Sequence, residues 1–152
     1  MSDALLERLV PLIGDWKTEA SVGGKPMARG QTRFEWLGNK QFVVQRADAE
    51  IAPGVPPEWI ENSPFPITSI IGLDDATGLF TMLYSDRRHV HRVVNMTVGP
   101  GLWTLWRDSP GFSQRFVGTF SQDGATITGS WERSQDGTHW TKDFDHLYWK
   151  VG

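Results

Sequence analysis

Apolar and polar residues follow two different rhythms along this chain, and the rhythm changes at Gly14. Before that point, residues Asp3–Ile13 carry their leucines, valine and isoleucine mostly on one face at helical spacing, with Ser2 placed as an N-cap. Pro11 falls late in the segment and leaves open where the helix ends. The pattern predicts one short amphipathic helix at the N-terminus.

After Gly14 the hydrophobic period is two, and turn residues recur at intervals of roughly ten, as in all-β barrels and sandwiches. The pattern predicts ten strands, at approximately 15–22, 29–37, 41–48, 67–73, 79–86, 89–98, 102–107, 112–121, 125–133 and 138–150. Ser-Gln-Asp-Gly occurs at 121–124 and again at 134–137. Because Asp-Gly suits the positive φ angles of a tight hairpin turn, the last three strands are predicted to form a meander.

One segment, 49–66, breaks this rhythm. It holds five of the nine prolines together with Trp59, Ile60 and Phe65. A loop of this length inside a compact domain is often functional, and its apolar side chains favour a lid over a barrel mouth. A surface strap pinned by prolines is the alternative.

Alternation along each strand divides the side chains into an inner and an outer set. On the last strands, the residues predicted to face inward are Phe112, Gln114, Phe116, Phe120, Ile127, Gly129, Trp131, Trp140, Lys142, Phe144, His146 and Tyr148. On earlier strands the predicted inner set includes Trp16, Thr18, Ala20, Thr32, Phe34, Trp36, Phe42, Val44, Arg46, Phe80, Met82, Tyr84, Arg92, Val94 and Met96. Because a buried charge is costly alone, Arg46 and Arg92 are expected to meet Asp48 or Asp86, to lie near a barrel end, or to meet an anionic ligand.

Composition narrows the class of protein. The 152 residues suit one domain, 1–152, and 15 basic against 18 acidic residues give a net charge of -3, which disfavours nucleic acids and anionic membranes as partners. There is no cysteine, which fits a reducing cytoplasm, and neither a secretion signal nor a membrane span is expected. Eight Trp and eight Phe indicate a wide interior to fill or to line, although core packing alone also explains them.

The residues Gly14-Asp15-Trp16, which follow the predicted helix, resemble the opening of the calycins, among them the lipocalins and fatty-acid-binding proteins. The stretch from Leu102 to Phe120, with the two Ser-Gln-Asp-Gly turns after it, resembles a bacterial family of calycin-like proteins of unknown function. This resemblance implies an all-β, ten-stranded antiparallel calycin-like barrel with a short N-terminal helix. His146 is also similar in position to the last-strand histidine of nitrobindins, which implies haem as an alternative cofactor.

Motifs for chemistry are scarce. His89-x-His91 has the spacing of two metal ligands on one strand face, but alternation turns that face outward, so no metal is expected. The chain lacks G-x-S-x-G, a P-loop, a dinucleotide fingerprint and H-E-x-x-H. A small isomerase or cyclase that uses Tyr84, His146 or Arg92 in an apolar pocket stays open as an alternative.

The sequence therefore predicts a binding module that encloses a small apolar or amphipathic molecule, with no resident cofactor. Apolar lining with a few fixed polar groups is the usual character of such pockets. The candidate ligand-binding residues are Arg46, Tyr84, Arg92, Trp106, Gln114 and His146. A purely structural role, with a homodimer formed through exposed tryptophans, is a further alternative.

Overall fold

The computed structural model describes residues 2–151, and its ten strands close into one antiparallel barrel in which every strand pairs with its sequence neighbours and β1 pairs with β10. The strands are β1 (Gly14–Val22), β2 (Lys25–Leu37), β3 (Phe42–Ile51), β4 (Ile67–Asp74), β5 (Leu79–Asp86), β6 (His91–Gly99), β7 (Leu102–Arg107), β8 (Ser113–Phe120), β9 (Thr126–Ser134) and β10 (Thr141–Lys150). The predicted ten-stranded barrel and its final meander are confirmed.

The predicted N-terminal helix is present as a short α-helix, α1 (Ser2–Leu6), followed by a 3₁₀ segment (Glu7–Leu12) that contains Pro11. The predicted capping role of the Ser2 side chain lies outside the described residues. The second helix, α2 (Pro57–Glu61), lies in the long connection between β3 and β4. Proline at its first position needs no backbone donor there.

The connections divide the barrel into two ends. The helix end carries α1, the 3₁₀ segment and the turns after β2, β4, β6 and β8; the loop end carries the turns after β1, β5, β7 and β9 together with the connection 52–66. Leu9 and Leu12 of the 3₁₀ segment are fully buried, and Trp16 Nε1 donates to the Leu12 carbonyl at 2.8 Å. Lys150 lies over the Trp16 ring, 4.8 Å from its centre, and donates to the Ile13 carbonyl at 2.6 Å. These contacts close the helix end.

The helix half of the interior is filled by aromatic rings. Trp103, only 1% exposed, packs edge to face against Phe34, Phe116 and Tyr148, with ring centres 5.9, 5.2 and 5.6 Å away. Such pairs contribute about 1 kcal/mol each beyond their buried area. This half of the barrel is a solid core.

Two paired glycines make room for Phe116. Gly118 on β8 lies opposite Gly129 on β9, and a Cβ on Gly129 would come within 2.4 Å of the Phe116 ring and 2.8 Å of the Val117 carbonyl oxygen. Any larger residue at Gly129 would displace the ring or the strand. The glycines therefore let Phe116 reach the centre of the barrel, next to Trp131 and His146.

On β3 the predicted inner set was wrong. Val43 and Gln45 face the interior, because Gln45 lies opposite the buried Phe34 of β2, while Phe42 is 44% exposed and Val44 is buried on the outer face. Arg46 lies outside and its Nη1 donates to Glu35 at 2.6 Å. Apolar residues occupy both faces of β3, so alternation alone does not give the face, and only pairing with Phe34 decides it.

A bulge near the start of β10 overturns the prediction for Trp140 and Lys142. Lys142 pairs with Glu132 but Phe144 pairs with Trp131, so Asp143 is an extra residue in β10. Lys142 therefore faces outward and contacts Asp145 at 2.9 Å, while Trp140 stacks under the guanidinium of Arg115 at 4.0 Å. A bulge inverts the inside-outside order before it, and nothing in the alternation reveals it.

Candidate functional site

The loop half of the interior has one wall of small residues and one of large polar and aromatic residues. The register places Thr18, Ala20, Ala28, Gly30, Ala47 and Ala49 on the inner face of β1–β3. The opposite wall presents Tyr84, Asp86, Arg92, Arg107, Gln114, Trp131, Phe144 and His146. Most residues of this second wall are half-buried, whereas the aromatic core below them is almost sealed. Small residues facing large ones leave a recess that opens toward the loop end; we call it the loop-end recess.

Asp86 is the anchor of a polar group at the rim of this recess. Its carboxylate is fully buried, accepts from Tyr84 Oη at 2.8 Å and from Arg88 Nη2 at 2.6 Å, and also accepts from the Arg88 backbone N–H at 2.8 Å. Burial acts to raise the pKa of Asp86, but the hydrogen bonds from Arg88 and Tyr84 outweigh it and hold this pKa below its usual range. Burial, with Asp86 beside it, raises the pKa of Tyr84 far above 10, so the phenol stays neutral.

Arg92 lies on the neighbouring strand β6, opposite Tyr84, and has a different partner from Asp86. Its Nη1 donates to Gln114 Oε1 at 3.2 Å, and its guanidinium lies 5.5 Å from the centre of the Phe112 ring. Among residues 2–151, no carboxylate lies within salt-bridge distance of it. Burial, followed by the positive charge of Arg88, lowers the pKa of Arg92. The recess thus contains a half-buried cation whose only hydrogen-bond partner in the described chain is a neutral amide.

His146 lies in the middle of the recess wall, opposite Ala20 of β1 and Gly129 of β9. Its ring is 4.5 Å from Tyr148 and 5.8 Å from Phe144, and its Nδ1 is 3.3 Å from Tyr148 Oη. Burial lowers the pKa of His146 to about 4, so the imidazole is neutral at physiological pH. In the described chain Nε2 has no hydrogen-bond partner. The buried side-chain atoms that lack a partner there are Ser69 Oγ and Trp103 Nε1, so Nε2 is not sealed from solvent and faces accessible space.

The connection 52–66 covers the recess from the loop end. The Trp59 ring of α2 meets the Phe144 ring at 6.1 Å, and no residue of α2 is buried. Arg87 ties the connection to the barrel: Nη2 donates to the Ser63 carbonyl at 2.9 Å and to the Glu61 carbonyl at 3.2 Å. Backbone bonds hold the connection as well, from the Ala52 N–H to the Met27 carbonyl at 2.8 Å and from the Arg87 N–H to the Pro64 carbonyl at 3.1 Å, and Val55 is buried.

The structure brings together four of the six predicted site residues, Tyr84, Arg92, Gln114 and His146. Arg46 and Trp106 face outward, which corrects both predictions. On β7 the inner positions are Trp103 and Leu105, because they lie opposite the buried Val98 and Met96. Trp106 therefore lies on the outer face between Asn95 and Arg115. Two tryptophans of opposite parity on one short strand give no sequence signal for choosing between them.

The sequence did not lead to two residues that face the recess, Arg107 and Ser69. Arg107 ends β7 with inner parity, opposite Gln114. Ser69 on β4 is 1% exposed, lies between Gln45 and Tyr84, and its hydroxyl has no hydrogen-bond partner in the described chain. Asp86 was considered only as a partner for an inward arginine, and it binds Arg88 instead. The inner parity of Arg107 follows once Trp103 is known to face inward, which is the step that the sequence alone does not provide.

A second concave region lies on the outside of the barrel, across β1–β4. It encloses about 630 Å³ and is lined by Asp15, Lys17, Arg33, Arg46, Asp48 and Thr68, among others. Arg33 and Arg46 here already contact Glu35 at 3.4 and 2.6 Å. Because its arginines are satisfied by carboxylates, this groove is a weaker candidate than the recess.

Across residues 2–151, no three His, Asp or Glu side chains come together in a way that would hold a metal ion. His89 lies in the turn after β5, and His91 is exposed at the start of β6. In the same part of the chain, no helix has the length and apolar character needed to cross a membrane.

Comparison with known proteins supports the architecture. No family model matches the chain, and no curated protein matches it. The solved structure of Rv2717c from M. tuberculosis superposes with a TM-score of 0.66 over 97% of this chain and 98% of that one, at 12% identity. A protein of unknown function from the DUF3598 family of Nostoc punctiforme covers 97% of this chain and 99% of its own at 10% identity, but its TM-score is 0.31. The barrel fold is shared with Rv2717c, and membership of the calycins stays a prediction.

Proposed function

We propose that this protein binds a small amphipathic anion in the loop-end recess, in the manner of calycin-like binding proteins. The observation that carries the proposal is Arg92, which faces the recess with the neutral Gln114 as its partner. A half-buried guanidinium loses hydration without gaining a counter-ion, which costs free energy in the empty protein. An anionic group on a ligand would recover that cost, because charge-assisted hydrogen bonds to Arg are strong and directional.

The rest of the recess suits an apolar body attached to that group. Phe112 lies under Arg92, and Trp131, Phe144 and the neutral His146 continue the wall toward the core. Facing them, the small side chains of β1–β3 leave space. Mainly apolar lining with few polar groups orients a ligand by its polar end.

The experiment compares Arg92, which faces the barrel interior, with Arg46, which faces outward. Octyl sulfate is titrated into the wild type, Arg92→Gln and Arg46→Gln, with intrinsic tryptophan fluorescence as the readout, and native mass spectrometry of gently purified protein looks for a retained ligand. Arg92→Gln should weaken binding at least about tenfold, while Arg46→Gln should leave it unchanged. Equal effects of the two variants, or no binding to the wild type, would reject the proposal.

Haem is a second candidate, and the observation that favours it is His146. Its imidazole is neutral and its Nε2 faces accessible space. Tyr148 Oη is placed to accept a hydrogen bond from Nδ1–H in the tautomer that leaves the Nε2 lone pair free. These features fit an axial ligand of iron, and bound haem would supply a centre for small gaseous ligands or electron transfer.

Haem binding has a direct test. Hemin is added to the wild type, to His146→Ala and to the control His91→Ala, and the Soret band is recorded. A band that shifts in the wild type and in His91→Ala but not in His146→Ala supports this candidate. The same spectrum in all three proteins would exclude His146 as the ligand.

A further inference from the structure

We infer that the head group which the recess takes is a dianion, such as a phosphate monoester, rather than a monoanion; this inference rests on the proposed function. It follows from a census of the charged side chains at the loop end. Arg88 is paired with Asp86 at 2.6 Å. Arg133 also has inner parity, opposite Gln114, but it is exposed to solvent. The half-buried arginines of inner parity that are left are Arg92 and Arg107.

Arg107 shares the recess with Arg92. Inner parity on β7 passes from Trp103 through Leu105 to Arg107, and Arg107 lies opposite Gln114, the same residue that accepts from Arg92. The positive charge of Arg107 also contributes to lowering the pKa of Arg92, after burial and Arg88, which places the two guanidinium groups within electrostatic reach. Gln114 therefore neighbours both cations, Arg107 through the strand register and Arg92 through a hydrogen bond.

Neither cation has an anionic partner. Among residues 2–151, no carboxylate lies within salt-bridge distance of Arg107, as is also true of Arg92. Two like charges in a partly desolvated recess repel each other. A monoanion would neutralise one of them and leave the other, whereas a dianion neutralises both and presents enough oxygens for two guanidinium groups.

The test uses two probes of the same shape and different charge. Octyl phosphate carries close to two negative charges at pH 7.5 and octyl sulfate carries one, so their affinity ratio reports the second charge. In the wild type, octyl phosphate should bind about tenfold more tightly. Arg107→Gln should bring that ratio close to one and leave octyl sulfate binding nearly unchanged. Arg107→Lys, which keeps the charge, should retain most of the preference.

The outcomes separate this inference from the function on which it rests. If octyl sulfate and octyl phosphate bind equally and both depend on Arg92, the amphipathic-anion site stands and the dianion inference is wrong. If neither probe binds the wild type, both are wrong. The control Arg46→Gln should preserve the ratio; a loss there would assign the preference to the overall charge of the protein and overturn the inference.

Two further probes distinguish a soluble ligand from a free ion or a membrane lipid. Inorganic phosphate should bind far more weakly than octyl phosphate, because it gains nothing from the apolar wall. The protein should not sediment with vesicles containing phosphatidic acid, because the two arginines face the interior. Tight binding of inorganic phosphate, or sedimentation that Arg107→Gln abolishes, would overturn an interior dianion site.

Discussion

Arg92 donates a hydrogen bond to Gln114 across the strand that separates them, at 3.2 Å, whereas Arg88, at the same end of the barrel, contacts the carboxylate of Asp86. The contrast between these two arginines is the electrostatic signature of the recess. Asp86 neutralises Arg88, whereas no carboxylate among residues 2–151 lies within salt-bridge distance of Arg92.

Gln114→Glu should convert Arg92 into an internally paired arginine. The two side chains have nearly the same shape, but the glutamate supplies the anion that a ligand would otherwise bring. We expect octyl sulfate affinity to fall about tenfold or more, with the folded protein retained. The measurement is a fluorescence titration with urea unfolding beside it, and Gln31→Glu on the exposed face of β2 is the matched control. Unchanged affinity would mean that Arg92 does not receive the head group.

His146 should make the protein lose stability on acidification. Burial holds its folded-state pKa at about 4, below its ordinary value near 6.5. As pH falls from about 6.5 to about 4, the unfolded chain takes up a proton that the folded protein does not, so up to about 3 kcal/mol is lost across that window. Urea unfolding of the wild type and His146→Gln at intervals from pH 7 to pH 4 should show a steeper decline in the wild type. His91→Gln, at an exposed position, should keep the wild-type slope.

Two buried serines should respond oppositely to removal of the hydroxyl. Ser69 Oγ is sealed without a partner, whereas Ser113 Oγ donates to the Ser109 carbonyl at 3.2 Å and accepts from the Ser109 N–H at 3.1 Å. Ser69→Ala should be neutral or stabilising, because it removes an unsatisfied polar group, and Ser113→Ala should cost about 1–2 kcal/mol. Thermal and urea unfolding give both values. A comparable loss in Ser69→Ala would show that its hydroxyl has a partner in solution, such as an ordered water.

Arg87→Gln should loosen the connection 52–66. It removes the bonds from the guanidinium to the Ser63 and Glu61 carbonyls but leaves the backbone N–H of residue 87 free to keep its bond to the Pro64 carbonyl at 3.1 Å. Hydrogen exchange in 52–66 should become about fivefold to tenfold faster, with the barrel strands unaffected, and octyl sulfate should dissociate faster. Arg29→Gln, which breaks an exposed pair with Glu19 at 2.8 Å, should change neither quantity. Equal exchange in both variants would show that the guanidinium of Arg87 does not hold the connection.

The sequence by itself determined the architecture, because strand rhythm and turn chemistry are local properties. Alternation after Gly14 and the two Ser-Gln-Asp-Gly turns led to ten strands, and on most of them to the correct inner face. Tyr84, Arg92, Gln114 and His146 were identified in this way, since each shares its strand face with a buried apolar residue, namely Met82, Val94, Phe116 and Tyr148.

The tertiary structure decided the positions where local pattern is ambiguous or interrupted. Arg46 faces out because β3 has apolar residues on both faces and takes its orientation from Phe34 on the next strand. On β7 Trp103 faces inward and Trp106 faces outward, and the bulge at Asp143 turns Lys142 outward. Which arginines keep a carboxylate and which do not is likewise a matter of register, since a charge finds its partner across strands that are distant in sequence. For that reason composition and alternation led to a barrel with polar groups inside, while only pairing between strands revealed the two arginines without counter-ions.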